Sequence, residues 1–154
     1  MDIVRATQQD IELLRQTRVA FLRSFRGFTA ETEEQLRREL AADYTTHLGP
    51  AGGLVALLGK EGDTIVSSAF MSVYERPPTD RLLSRRYGRL TNIYTYPEHR
   101  GRGHAKVLVK AILDIARQEG LASVELNASD GGLALYRSLG FKMQDGVPMW
   151  LACM

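Results

Sequence analysis

Apolar positions change period along the chain, and each change marks an element. Ile3-Val4-Arg5-Ala6 opens as a short strand, and Thr7 and Asp10 follow at the spacing of a capping box. Ile11, Leu14, Phe21, Leu22 and Phe25 recur at near-helical intervals, which predicts a helix to about Arg23, broken by Gly27. Thr29 is a good N-cap, and Leu36, Leu40 and Tyr44 recur every four residues, so a second helix ends before Gly49-Pro50. Leu54 to Leu58 and Thr64 to Tyr74 read as a hairpin around the turn Gly59 to Asp63. Arg89 to Tyr96 is a further strand, stopped by Pro97. From about Gly103 to Glu119, Leu108, Ala111, Ile112, Ile115 and Ala116 form one apolar stripe of a helix, with Gly120 as its C-cap. Ser123 to Asn127 predicts a strand and Leu133 to Leu139 a short helix closed by Gly140. Final strands are expected from Phe141 onward and at Val147 to Leu151. The order β-α-α-β-β-β-α-β-α-β-β is that of a mixed α/β sheet carrying helices.

The 154 residues amount to one ordinary domain, expected to span 1–154, and 44% hydrophobic with 25% charged residues is a globular composition. A formal charge of +2 gives no broad electrostatic argument for nucleic acid. The single cysteine, Cys153, excludes a disulfide within the chain. No apolar run approaches the roughly 20 residues that span a bilayer, and the start is not that of a signal peptide, so the expectation is a cytoplasmic protein without membrane or nucleic-acid partners. No His, Cys, Asp and Glu grouping has metal-ligand spacing, so no metal is expected.

The chemically informative segment is Tyr94-Thr95-Tyr96-Pro97-Glu98-His99-Arg100-Gly101-Arg102-Gly103-His104-Ala105, where a strand enters a turn and the turn enters an amphipathic helix. Gly101 and Gly103 permit left-handed backbone and close approach of a ligand. The first N–H groups of the helix lack intrahelical partners, and the helix dipole adds positive potential there. With Arg100 and Arg102 beside them, these groups describe a pyrophosphate cradle. The competing reading is a plain strand-turn-helix junction whose glycines serve geometry only. No P-loop motif is present, and Lys106 occupies the place of the third glycine of a dinucleotide fingerprint.

Arg100-Gly101-Arg102-Gly103-His104-Ala105 fits the pattern Arg/Gln-x-x-Gly-x-Gly/Ala and resembles the acyl-CoA-binding signature of the GNAT superfamily of N-acetyltransferases. The preceding strand, Leu90 to Tyr96, with Pro97-Glu98-His99-Arg100, is similar to the entry those enzymes use. Downstream, Leu126-Asn127-Ala128-Ser129 and Leu135-Tyr136-Arg137-Ser138-Leu139-Gly140-Phe141 resemble the family's late strand and helix ending. The resemblance covers about residues 89 to 142. It implies a GNAT-like fold with a mixed sheet of six to seven strands and about four helices. It also implies acetyl-CoA as co-substrate and transfer of its acetyl group to an amine on a small molecule or peptide.

Carried over residue by residue, the resemblance gives Ile93 and Thr95, flanking Tyr94, the backbone contacts to pantetheine. The turn from Gly101 through Arg102, Gly103, His104 and Ala105 to Lys106, with the Arg100 side chain, takes the pyrophosphate. Asn127 or Ser129 touches the pantetheine arm, and Tyr136 matches the tyrosine that returns a proton to the leaving thiolate. As a packed aromatic, Tyr136 would equally suit an apolar helix. The base is less defined: Glu75 at a strand end is the first candidate, with Tyr94, His99 or a water chain as alternatives. Arg76, Arg81, Arg85, Arg86 and Arg89 crowd one segment, read as a solvated loop, a contact for CoA phosphates or an acidic acceptor, a lid, or a nucleic-acid contact that the near-zero net charge argues against. Phe21, Phe25, Phe28 and Tyr44 fall where the family shapes its acceptor pocket, or serve as plain core, and Glu31, Glu33 and Glu34 suit either a cationic amine or a helix start. Val147 to Leu151, with Trp150, is apolar enough to pair two copies as a homodimer. The alternative function is a non-catalytic acyl-CoA sensor or interaction module.

Overall fold

The computed structural model describes all 154 residues. Its strands are β1 (Asp2–Arg5), β2 (Leu54–Glu61), β3 (Thr64–Glu75), β4 (Arg86–Thr95) and β5 (Val124–Glu125). Its helices are α1 (Ile11–Arg23), α2 (Ala30–His47), α3 (His104–Gln118) and α4 (Leu133–Ser138). The strands form one sheet in chain order, antiparallel from β1 to β4 and parallel between β4 and β5.

Strand alternation assigns the two faces. Ala56, Leu58 and Phe70 pack with Leu14 of α1 and Tyr44 of α2, while Val55, Leu57, Ala69, Met71 and Leu90 pack with Leu108, Val109 and Ile112 of α3 and Tyr136 of α4. Fully burying one such Leu, Ile or Met contributes about 1.5–3 kcal/mol, so the two clusters fix the sheet between the helix layers. The expected caps are present: Thr7 and Asp10 make a reciprocal capping box, and the Thr29 hydroxyl accepts from Thr32 N–H at 3.1 Å. Tyr44 is core, 4% exposed and edge-on to Phe70, rather than a pocket wall.

Four expectations change, one being that the strand expected over Ser123 to Asn127 shortens to Val124–Glu125, where its pairing with β4 ends. The hairpin turn shrinks to Gly62-Asp63, because β2 continues through a bulge at Gly59/Lys60 to Glu61. Gly62, at φ +61°, supplies the left-handed residue that a two-residue loop requires. β4 starts earlier, at Arg86, because Arg86 lies in register with Glu75. The sheet has five strands, not six or seven, because Phe141 to Met154 pairs with no strand. Pro148 removes a ladder donor in the last predicted strand, and Val147, Met149, Trp150 and Leu151 stay 85–90% exposed.

Candidate functional site

Two features of β4 open a cleft in the sheet. Its parallel pairing with β5 holds only at Gly88↔Val124 and Arg89↔Glu125, and beyond Arg89 the strands diverge. Its register with β3 then slips between Ser68 and Phe70, where Asn92 adopts φ +51°. This is a β-bulge, and asparagine is one of the few side chains that tolerates left-handed backbone. Asn92 is 1% exposed, and its amide donates to Ser68 Oγ at 3.0 Å. The bulge shifts the strand's alternation by one residue. Gly88 N–H points to β5, donating to the Ser123 carbonyl, whereas Tyr96 N–H points to β3, donating to the Val66 carbonyl. Counting back by twos from Tyr96, the backbone groups of Ile93 and Thr95 face the cleft.

Asn92→Ala therefore loses a buried hydrogen bond and strains a left-handed residue. The expected loss is about 2–3 kcal/mol, and Asn92→Gly, which removes the strain, should lose about 1 kcal/mol less. Urea denaturation of the pair checks this; an alanine variant at least as stable as the glycine variant would remove the strain from the account.

The turn at the open end of the cleft has two left-handed glycines, Gly101 at φ +75° and Gly103 at φ +79°, the latter capping α3. The backbone N–H groups of Gly101, Arg102, Gly103, His104, Ala105 and Lys106 donate to no acceptor within the protein, and the first bond of the helix is Val107 N–H to the Gly103 carbonyl at 3.2 Å. Six successive free donors around left-handed residues at a helix N-terminus make an anion-binding nest. Arg100 Nε is fixed on the Thr95 carbonyl at 2.9 Å, which leaves the outer nitrogens of its guanidinium for an anion.

Across the cleft, Asn127 and Ser129 follow β5 as exposed residues, and Ser129 precedes the short turn into α4. Tyr136 is 9% exposed and packs in the cluster that Leu90 and Ile93 share, edge-on to Phe141 at 5.8 Å. Its hydroxyl makes no hydrogen bond, and burial pushes its pKa above the ordinary tyrosine value. Glu75 is exposed at the end of β3 opposite Arg86, three positions before Arg89, or about 10 Å along the strand from where β4 and β5 part. His99 is turned away from that point, against Glu61.

On the α1/α2 face of the last β4–β5 pair, the fold assembles a group that the motifs did not single out. Arg89 Nη1 donates to Glu125 Oε1 at 2.9 Å, Tyr74 and Tyr87 stack at 6.0 Å, and the Arg76 guanidinium lies 3.8 Å from the Tyr87 ring centroid. Burial raises the Glu125 pKa, but hydrogen bonds from Tyr74, Arg89 and Gln144 outweigh it and hold the carboxyl below its ordinary value. The only sequence signal for Glu125 was its place in a predicted strand beside the Asn127 motif.

The basic segment is largely engaged away from the phosphate turn. Arg86 donates to the Glu119 carbonyl at 2.9 Å, Arg89 is held by Glu125, and the loop lies at the opposite end of β4 from the glycines. Contact of this loop with CoA phosphates near the turn is thus ruled out by position. The early acidic cluster is also partly spent, since Glu33 pairs with Arg23 and Arg37. Phe21, by contrast, sits edge-on to Tyr94 at 6.3 Å and to Phe25 at 4.9 Å, and so borders the strand end.

Known proteins resemble this chain in sequence and in fold. The model of the acetyltransferase (GNAT) family matches residues 15–141. Human N-acetyltransferase 8B is 39% identical over 69 residues, covering 43% of this chain and 30% of that protein. Rat N-acetyltransferase 8F1 is 28% identical over 110 residues, covering 70% of this chain and 47% of that one. The matches thus span less than half the length of these curated relatives. A protein of Clostridium acetobutylicum described as a predicted acetyltransferase, solved with acetyl-CoA, superposes with a TM-score of 0.82 at 24% identity, over 97% of this chain and 95% of that one. A GCN5-related N-acetyltransferase of Ralstonia eutropha gives 0.79 at 23% identity, over 97% of both chains. At these identities the solved structures speak for the fold, while the family model covers most of the chain, which therefore belongs to the GNAT family of acetyltransferases.

Proposed function

We propose that residues 1–154 form one acetyl-CoA-dependent N-acetyltransferase domain that passes the acetyl group to an amine by direct attack. The observation that carries this reading is the run of free N–H groups from Gly101 to Lys106 at the mouth of the β4–β5 cleft. A pyrophosphate placed there aligns an extended pantetheine arm with the backbone of Ile93 and Thr95 on one side and with Asn127 and Ser129 on the other. Acetyl-CoA, when bound, supplies an acetyl group activated as a thioester.

The chain's residues then divide the work. A cleft-facing backbone N–H beyond the bulge donates to the carbonyl oxygen as negative charge develops on it. The amine approaches from the α1/α2 face, past Tyr74, Tyr87 and the Arg89–Glu125 pair. Its nitrogen forms the new bond to the carbonyl carbon as the carbon–sulfur bond breaks. Glu125, kept ionised by its partners, suits attraction of a cationic amine better than removal of its proton. Glu75, some 10 Å along β3, takes that proton through water. Tyr136, protonated across the physiological range, returns a proton to the sulfur. The exposed apolar tail around Trp150 supports pairing of two copies as a homodimer. No helix is long and apolar enough to cross a membrane.

The test is calorimetric titration with acetyl-CoA, followed by a panel of polyamines, aminoglycosides, amino acids and peptides read by release of free CoA thiol. Micromolar binding with amine-dependent thiol release is expected. Tight binding with no release across the panel would replace the enzyme by an acyl-CoA-binding module.

A further inference from the structure

We propose that Glu61, His99 and His104 bind one divalent transition-metal ion of the zinc class beside the phosphate turn. The three are distant in sequence, and no spacing rule joins them. The two-residue hairpin loop makes Glu61 the last residue of β2, and the chain leaving β4 brings His99 and the first residue of α3, His104, against it. His99 Nδ1 lies 3.4 Å from Glu61 Oε2, and His104 Nε2 lies 3.2 Å from Glu61 Oε1. All three donor groups fall within 4.8 Å of one another.

His104 is 9% exposed, and its Nε2 and the Nδ1 of His99 are buried without a hydrogen bond. The two nitrogens converge on the carboxylate region without the alignment a hydrogen bond needs. An ion with metal–ligand bonds of about 2.0–2.1 Å in tetrahedral geometry separates its ligands by about 3.3–3.4 Å. The two histidine-to-carboxylate separations, 3.4 Å and 3.2 Å, are of that size, each to a different oxygen of Glu61. Two imidazoles and one carboxylate form a donor set for zinc and its first-row neighbours, and they leave a coordination position for a further ligand. Coordination would satisfy both orphaned nitrogens at once.

An ion there ties the β2–β3 hairpin to the residue that opens α3, so it fixes the direction of the His104 N–H. Arg102, whose Nη1 lies 3.6 Å from Glu61 Oε2, would lose its hold on that carboxylate and turn to an anion. The site itself does not depend on the acetyl-transfer reading, because metal binding is measured without acetyl-CoA.

The experiment titrates the chelator-treated full chain with CoCl2, read by visible absorption, and with ZnCl2, read by calorimetry and thermal unfolding. We expect one ion per chain at micromolar affinity, a rise in Tm, and a cobalt spectrum without a thiolate charge-transfer band. Glu61→Gln and His99→Gln should each weaken binding at least tenfold, while His47→Gln and Cys153→Ser should bind as the unaltered chain does. The proposal is overturned by failure of the unaltered chain to bind either ion, by wild-type affinity in the Glu61 and His99 variants, or by a thiolate band that places the ion on Cys153. The unaltered chain's own titration and spectrum decide the matter even if a variant does not fold.

Discussion

Gly103→Val should weaken acetyl-CoA binding by two to three orders of magnitude. Gly103 holds φ +79°, and a Cβ built there has no atom within 4 Å. Steric clash therefore plays no part, and the substitution acts through the backbone alone. A left-handed residue other than glycine costs about 1–2 kcal/mol, more for a β-branched side chain. The chain relieves that strain by rotating the peptide groups on either side, which carry the N–H groups of Gly103 and His104 out of the nest. Each charge-assisted hydrogen bond contributes about 1.5–3 kcal/mol, so two misdirected donors account for about a hundredfold or more. Calorimetry measures the affinity, and urea denaturation should show a loss of about 2 kcal/mol or somewhat more. A dissociation constant within threefold of the unaltered chain would reduce the glycine turn to a structural junction.

Tyr136→Phe should lower kcat about a hundredfold or more, the usual range for loss of a positioned acid, with KM for acetyl-CoA almost unchanged. The hydroxyl makes no hydrogen bond within the protein, and the phenylalanine ring keeps the contact with Phe141, so the melting temperature should hold. The same burial has a pH consequence. The folded-state pKa lies above the ordinary value near 10, so the acid form persists through neutral and mildly alkaline pH. The kcat profile of the unaltered enzyme should therefore show no decline from this group below about pH 10. Full turnover by the phenylalanine variant would return Tyr136 to a packing role.

Most of what the sequence disclosed concerned local grammar. The capping box at Thr7, the α3 stripe and the glycine turn each depend on residues within a few positions, and each stands where its pattern put it. The misses share a non-local cause. Whether Val147 to Leu151 forms a strand depends on a hydrogen-bonding neighbour, which alternation in one segment does not supply. Asn92 read as an ordinary strand residue, because its left-handed backbone arises only from the slip of β4 against β3. Glu125 is held below its ordinary pKa by Tyr74 and Arg89 on other strands and by Gln144, and Glu61 meets two histidines only after the hairpin and the turn are both in place.

The brief contact between β4 and β5 bears on the folding equilibrium as well as on the reaction. With two residue pairs joining those strands, the sheet is interrupted where a ligand's amides can stand in for a strand. A ligand that binds only the folded chain stabilises it by RT ln(1 + [L]/Kd), about 2.7 kcal/mol at a hundredfold excess over Kd. That is a sizeable share of the 5–15 kcal/mol typical of a domain. On the proposed acetyl-CoA reading, a chain without its ligand would then open more often and meet proteases more often.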